Sequence, residues 1–471
     1  MQPKTRIIYE MHVRGFTQHI SSRVRHPGKF EGIIEKLPYL KKLGVTTLEL
    51  LPIFEFNPSQ NYWGYTPKSF LTVHPPYGDV HQLKTLISLL HQHHFEVILD
   101  VVYNHTDGPL PGIHYFTENY SGCGHTVSPN QPESKENILH SLQYFGSTLG
   151  VDGFRFDLAS VLTRSEKGDP LSKPPLIEAI DKDPALKHCL MIAEPWDCGG
   201  LYQVGSFPSN RWAEWNGVFR DAVRRFIKGT PQQEDQFLEV MIGSPHLYGK
   251  RTPLHSVNFI TAHDGFTLRD LVAYNEKHNE ENGENNQDGC SHNDSWNCGV
   301  EGETKDPLIL ELRERQMRNL WVSLFFSLGT VMFPMGDEYG RSLSGNNNPY
   351  NLDLPKNYFD WDTLKKREKH VYFLSQLIEL RKKEPLFHSI QFTHPHHVVK
   401  KEKFVSFVLG PYYLAFNATE KPMEIAFPPH GGGWVRVVDT QLTPGEPFDF
   451  APMAATYLLK EYSVLVAKKR A

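Results

Sequence analysis

The stretch VDGFRFDLASV, residues 151–161, places a cation and an acid inside an otherwise apolar run. Side chains of a strand alternate faces, so Arg155 and Asp157 point one way while Phe154 and Phe156 point the other. Such a pair is either a structural ion pair or a carboxylate whose charge a guanidinium holds for chemistry. Three other apolar runs end in the same manner. EVILDVVYNH carries Asp100, Asn104 and His105; LMIAEPWD carries Glu194 and Trp196; SVNFITAHDG carries His263 and Asp264. One acid after a strand is commonly a cap or turn former. Several acids with Arg and His partners suit a reaction that needs carboxyl groups in different protonation states. Cleavage of a glycosidic bond is such a reaction: one carboxyl protonates the leaving oxygen and another meets the oxocarbenium-like centre. In that arrangement Arg155 keeps Asp157 ionised, and Glu194, in a less charged spot beside Trp196, keeps its proton. A metal cluster is the competing use of these residues, but no H-E-x-x-H or comparable spacing supports one.

These residues can meet only if the elements carrying them share one end. Short β-like runs recur, most followed by a helical pattern: RIIYEMHV before FEGIIEKLPYLKKLG, TTLELLP before HQLKTLISLLHQHHF, then EVILDVVYNH before ENILHSLQYFGSTLG. GFRFDL, LMIAEP, AEWN, SVNFITAHD and TVMFPMGDE continue the series, and a helix near 364–384 closes it. Alternating β and α elements imply parallel strands with right-handed crossovers. Eight units predict a (β/α)8 TIM barrel over residues 1–385, with reactive groups at the C-terminal strand ends. A doubly wound open sheet is the rival, yet no Gly-rich dinucleotide loop follows the first strand. From residue 386 to 471 the texture changes to short strands with Gly/Pro turns, which predicts a C-terminal antiparallel β-sandwich. The polar segment 275–305 reads as a long loop, either disordered or functional.

The chain has 471 residues and a formal net charge of −5, with no long basic block, so nothing suggests a nucleic-acid partner. No run approaches transmembrane length, and MQPKTRIIYE has no apolar signal core. Five scattered cysteines without a C-x-x-C pair suggest reduced thiols in a cytosol-like compartment, cytoplasm or plastid. A 12% aromatic content with 8 Trp suits a groove that stacks on flat ligands such as sugar rings.

DVVYNH, GFRFDLA, AEPWD and TAHDG together resemble, in order, the four signature segments of the α-amylase superfamily of glycoside hydrolases. The resemblance covers residues 6 to about 385, and the β-rich tail is similar to that family's C-terminal sandwich. It implies that Asp157 is the nucleophile, Glu194 the general acid/base and Asp264 the third carboxylate, which grips sugar hydroxyls in the transition state. Arg155, His105 and His263 match the residues around them, Trp196 joins the substrate-binding set, and Asp100 holds the site together. No cofactor is expected, and polar loop acids occur with or without Ca²⁺.

NYWGYTP at 61–67, YSGCG at 120–124, KHNEENGENNQDG at 277–289, WNCGVEG at 296–302 and GDEYGRSLSGNNNPYNLD at 336–353 resemble the isoamylase and glycogen-debranching group. That resemblance implies hydrolysis of α-1,6 branch linkages in glycogen, amylopectin or limit dextrins, with Tyr65 as the aromatic beneath the sugar. The group carries an N-terminal carbohydrate-binding domain, and with the first strand expected within six residues of Met1 no counterpart of it is expected in this sequence. The connection from Thr106 to Pro132 is short for the family and is expected to leave the cleft open. An α-1,4-acting amylase or 4-α-glucanotransferase would share the same carboxylates. A non-catalytic glucan-binding subunit would be expected to lack one of the three.

Overall fold

The computed structural model describes residues 5–442 and 448–470. Residues 1–4, where the N-terminal stretch begins, lie outside the described residues, as do 443–447 and 471. Eight strands close into a parallel barrel: β1 (Ile7–Met11), β2 (Thr47–Leu50), β3 (Glu96–Val101), β4 (Gly153–Phe156), β5 (Leu190–Ala193), β6 (Ala213–Trp215), β7 (Ser256–Phe259) and β8 (Thr330–Pro334). Each pairs with its neighbour in the chain and β8 closes onto β1. All eight come from the apolar runs predicted as strands. Every β1, β2, β4, β6, β7 and β8 residue is buried, which is why these runs read as continuous hydrophobic stretches.

The helices lie outside the barrel. Val80–Gln92 starts at a capping box between Asp79 and Gln82 and buries Leu83, Leu86, Ile87 and Leu90, a helical stripe facing the strands. The run FEGIIEKLPYLKKLG, expected as one helix, forms two, Phe30–Glu35 and Leu37–Leu43. Pro38 sits in the first turn of the second helix; it lacks an N–H and its ring crowds the carbonyl one turn back. The expected closing helix is likewise divided, into Trp361–Lys366 and Glu368–Lys383.

Beyond it the chain forms β9 (His396–Lys401), β10 (Phe404–Leu409), β11 (Tyr412–Asn417), β12 (Met423–Ala426), β13 (Trp434–Asp439), β14 (Thr456–Leu459) and β15 (Ser463–Lys469). An antiparallel sheet of order β9-β10-β11-β15-β13 faces the two-stranded sheet β12-β14. Phe404, Val408, Tyr413, Phe427, Trp434 and Leu465 fill the space between them. The opposite face of the large sheet, with Val405, Phe407, Leu414 and Phe416, merges with the barrel's own core. Phe416 meets Phe237 edge to face at 4.9 Å between ring centres.

Of the long polar segment 275–305, only Glu280–Asn282 is helical. The rest is fixed by side-chain amides. Asn279 donates to Asn347 at 2.8 Å, Asn282 to Asp288 at 2.7 Å and Asn346 to Asn282 at 2.7 Å. This lattice ties the segment to residues 346–348 beside the C-terminal end of β7, in place of an apolar core of its own.

Candidate active site

The C-terminal ends of β3, β4 and β5 bring Asp100, Arg155, Asp157 and Glu194 together, because Asp100 is level with Arg155 and Phe156 with Ala193 across the parallel ladders. Arg155 is fully buried and lies over the Trp215 ring at 4.1 Å. Its Nη1 donates to Asp100 Oδ1 and to Asp157 Oδ1, each at 2.9 Å, and its Nη2 lies 3.0 Å from Glu194 Oε2. The last contact is an ion-pair approach without hydrogen-bond alignment. One guanidinium therefore touches three carboxyl groups.

Asp157 also accepts from Asn104, whose Nδ2 lies 2.7 Å from Oδ2 and 2.9 Å from the Asp157 carbonyl. Glu194 Oε2 accepts from the Leu158 amide at 2.6 Å. Glu194 was expected in a less charged spot, whereas the structure sets it against Arg155. Burial nonetheless pushes its carboxyl up to about 8; Arg155 opposes the rise, and Asp157 and Asp264 add to it. Burial likewise raises Asp100 to about 6 against the pull of Arg155. Asp264, at the open side of the cleft, is reached by water. The crowding of nearby protein disfavours its charge, but His263, Arg220 and Arg155 outweigh that and hold it below the usual carboxylate range.

The remaining candidates line the same end. Tyr65 donates to Asp100 Oδ2 at 2.5 Å and stacks on the His263 ring at 4.9 Å between centres. His263 Nδ1 is 2.7 Å from Glu10 Oε1. Burial lowers the affinity of His263 for a proton, but Glu10 more than reverses this and pushes it up to about 9. Trp196 is half-buried and stacks with Tyr202 at 6.0 Å, while its amide closes a turn on the Glu194 carbonyl. His105 is 2% exposed. The connection between Thr106 and Pro132, expected to leave the cleft open, doubles back through a two-residue ladder pairing His105–Thr106 with His125–Thr126. That ladder and the Cys198 amide bond to the Tyr120 carbonyl lay residues 120–124 over His105.

Two acids of the site went unnoticed in the sequence. Glu10 and Glu49 face one another across β1 and β2 and are buried beneath the catalytic end. Neither Glu49 oxygen has a hydrogen-bond partner among the described residues; burial, then Glu10 and Asp100, raises its carboxyl well above the ordinary range. Both stand in apolar runs, IIYEM and TLEL, the pattern that made Arg155 and Asp157 conspicuous. Beside Asp264 opens a recess of about 110 Å³, lined by Arg220, Phe259, His292 and Asn348 among others. Among the described residues, no group of three or more His, Cys, Asp or Glu side chains is arranged to hold a metal ion.

Residues 14–122 match the family model for the alpha amylase catalytic domain. The chain is 43% identical to "Isoamylase 3, chloroplastic" of Oryza sativa subsp. japonica, over 97% of this chain and 66% of that protein. It is 42% identical to the "Glycogen operon protein GlgX homolog" of Mycobacterium tuberculosis, over 82% of this chain and 59% of that protein. It thus spans about two thirds or less of these relatives' length. Among solved structures, pullulanase type I from Bacillus subtilis, complexed with maltose, superposes with a TM-score of 0.81 at 20% identity, covering 100% of this chain and 71% of that one. The likeness to that structure is one of fold. Barrel, sandwich, the carboxyl cluster at the C-terminal strand ends and the identity to these relatives agree: the chain belongs to the α-amylase family, in its isoamylase group.

Proposed function

We propose that the protein hydrolyses α-1,6 branch linkages of glycogen, amylopectin or limit dextrins by a retaining double displacement. The observation that carries this reading is the pairing of Asp157 with Glu194 across Arg155, with Glu194 holding a proton near neutral pH while Asp157 accepts from Arg155 and Asn104. Glu194 gives its proton to the departing O6 as Asp157 attacks the anomeric carbon, forming a glycosyl ester and a free 6-hydroxyl. The Glu194 carboxylate then takes a proton from water, whose oxygen attacks the same carbon and expels Asp157, leaving the original anomeric configuration. Arg155 offsets charge on the carboxyl groups throughout, and Asp264 stands at the cleft to meet sugar hydroxyls. The names of the relatives, isoamylase and glycogen debranching enzyme, support the branch linkage. Five unpaired thiols suit a reducing compartment, the cytoplasm or a plastid. Among the described residues, no helix is long and apolar enough to cross a membrane.

Incubation with glycogen, followed by sizing of the released chains, tests the assignment. Linear α-1,4 chains should appear, with little attack on unbranched amylose. Equal rates on amylose would favour an α-1,4-acting amylase, and transfer of segments between chains a 4-α-glucanotransferase.

A further inference from the structure

A line of hydrogen bonds runs from the rim of the cleft to Asp157, and its direction follows from chemistry. Asn104 Nδ2 faces the Asp157 carbonyl at 2.9 Å and Oδ2 at 2.7 Å. Both are acceptors, so the amide NH₂ must lie on that side and Oδ1 on the other. Oδ1 is 2.5 Å from His105 Nδ1, which must therefore carry the ring proton. Burial pulls the affinity of His105 for a second proton below the ordinary value, against the opposing pull of Asp157 and of the Tyr65 carbonyl, to which the ring also bonds; with the ring proton on Nδ1, as the Asn104 geometry requires, Nε2 is the acceptor. Cys123 Sγ lies 3.4 Å from that Nε2. Cys123 is exposed at the rim of the cleft, but the protein packed around its sulfur, with Asp157 and Cys198 adding to it, pushes the thiol up to about 12, so it keeps its hydrogen. The S–H has one other acceptor nearby, the Ser121 carbonyl at 3.9 Å, farther than Nε2.

Resting on the proposed function, we infer that Asn104 and Cys123 are positioning residues for Asp157: the thiol, the His105 ring and the Asn104 amide form a one-way donor relay that sets the plane of the Asp157 carboxylate. Each member donates toward Asp157, so each bond polarises the next. Asn104 is the hinge of the relay, since it alone fixes both the carboxylate and the tautomer of His105. Cys123 is the outer end, brought there by the segment that doubles back over the site.

Two readouts test this. In the first, Cys123→Ala and Cys123→Ser are compared with the unaltered enzyme on glycogen. Loss of the terminal donor should lower kcat roughly 3- to 10-fold, the scale of one hydrogen bond. KM should be unchanged, and Ser, which restores a donor, should recover most of the rate. Equal kcat in all three proteins would overturn the relay, and so would a lasting loss in the Ser variant. The second readout needs no activity. In Asn104→Ala the His105 ring is free to place its proton on Nε2 and stabilise a Cys123 thiolate. Alkylation of Cys123 by iodoacetamide at pH 8, measured by peptide mass spectrometry with exposed Cys290 as internal reference, should rise several-fold. An unchanged alkylation rate would overturn the relay. If the unaltered enzyme releases no chains from glycogen, the proposed function fails, and the alkylation result still decides the relay.

Discussion

The amide of Leu158 donates to Glu194 Oε2 at 2.6 Å, so the residue following Asp157 in the chain grips the carboxyl group on the next strand. Leu158 reaches this position with φ 40° and ψ 50°, a left-handed conformation uncommon for a branched side chain. The barrel holds the residue there because the Ala159 amide also bonds the Glu194 carbonyl, at 2.8 Å. Two adjacent amides thus fasten one acid at both its side chain and its backbone. Strain of about 1–3 kcal/mol is typical where a fold over-determines such a backbone beside a site.

Activity should fall on the alkaline side as Glu194 loses its proton. Its carboxyl is raised to about 8, so it is protonated below that pH and the general acid is lost above it. A plot of log kcat/KM against pH should bend downward near pH 8. Glu194→Gln, which cannot donate an acidic proton, should lower kcat by about 10²–10⁴ and remove the bend.

Asp157→Asn keeps the volume of the side chain and removes the proposed nucleophile, so turnover should fall below detection. Binding of branched glucan, followed by isothermal titration, should survive, as should the circular dichroism spectrum. Loss of folding would instead mark the Arg155–Asp157 pair as structural.

Arg155→Met would leave Asp100, Asp157 and Glu194 buried with no guanidinium between them. Removing one member of a buried ionic group costs about 3–5 kcal/mol, which urea denaturation would report. Arg155→Lys should be nearly as damaging, because one ammonium cannot span both ends of the fork.

Glu10→Gln should change how stability depends on pH. The imidazolium of His263 is raised from 6.5 to about 9 by Glu10, so the stability it supplies is complete below pH 6.5 and lost as pH rises through 9. Glu194, raised to about 8, also favours the folded state less as pH rises, so both groups act in one direction. Urea midpoints at pH 6 and pH 9.5 should therefore differ less in Glu10→Gln than in the parent, whose drop includes the His263 contribution.

Most of the positioning framework was legible in the sequence because it rests on local pattern. A strand sealed on both faces must be apolar nearly throughout, so the eight barrel strands stood out, and so did Arg155 and Asp157 as interruptions. Partners far apart in the chain were not legible. Nothing in IIYEM says that Glu10 meets His263, a contact made across the closed barrel. Asn104 was visible at a strand end, but its role depends on which atom of its amide faces Asp157. Cys123 lies in YSGCG, a segment informative only for its resemblance, and it reaches His105 only through the turn of residues 106–126. The divided helices at Pro38 and Arg367 went unread because the apolar spacing continues across both breaks.

Apart from its exposed edge strand β9, the large C-terminal sheet is covered on both faces: one side fills the small sandwich and the other completes the core around the barrel helices. Asn319 and Thr440, Lys468 and Glu384 tie the same surfaces together by polar contacts. A chain ending near residue 385 would present Phe237 and Phe326 to water, stripped of their partners Phe416 and Tyr412. The change in texture at residue 386 therefore marks a boundary of architecture and not of cooperativity. Heating or urea should melt barrel and sandwich in one transition, and a protease nick between residues 389 and 395 should leave two fragments that stay together until the whole molecule unfolds.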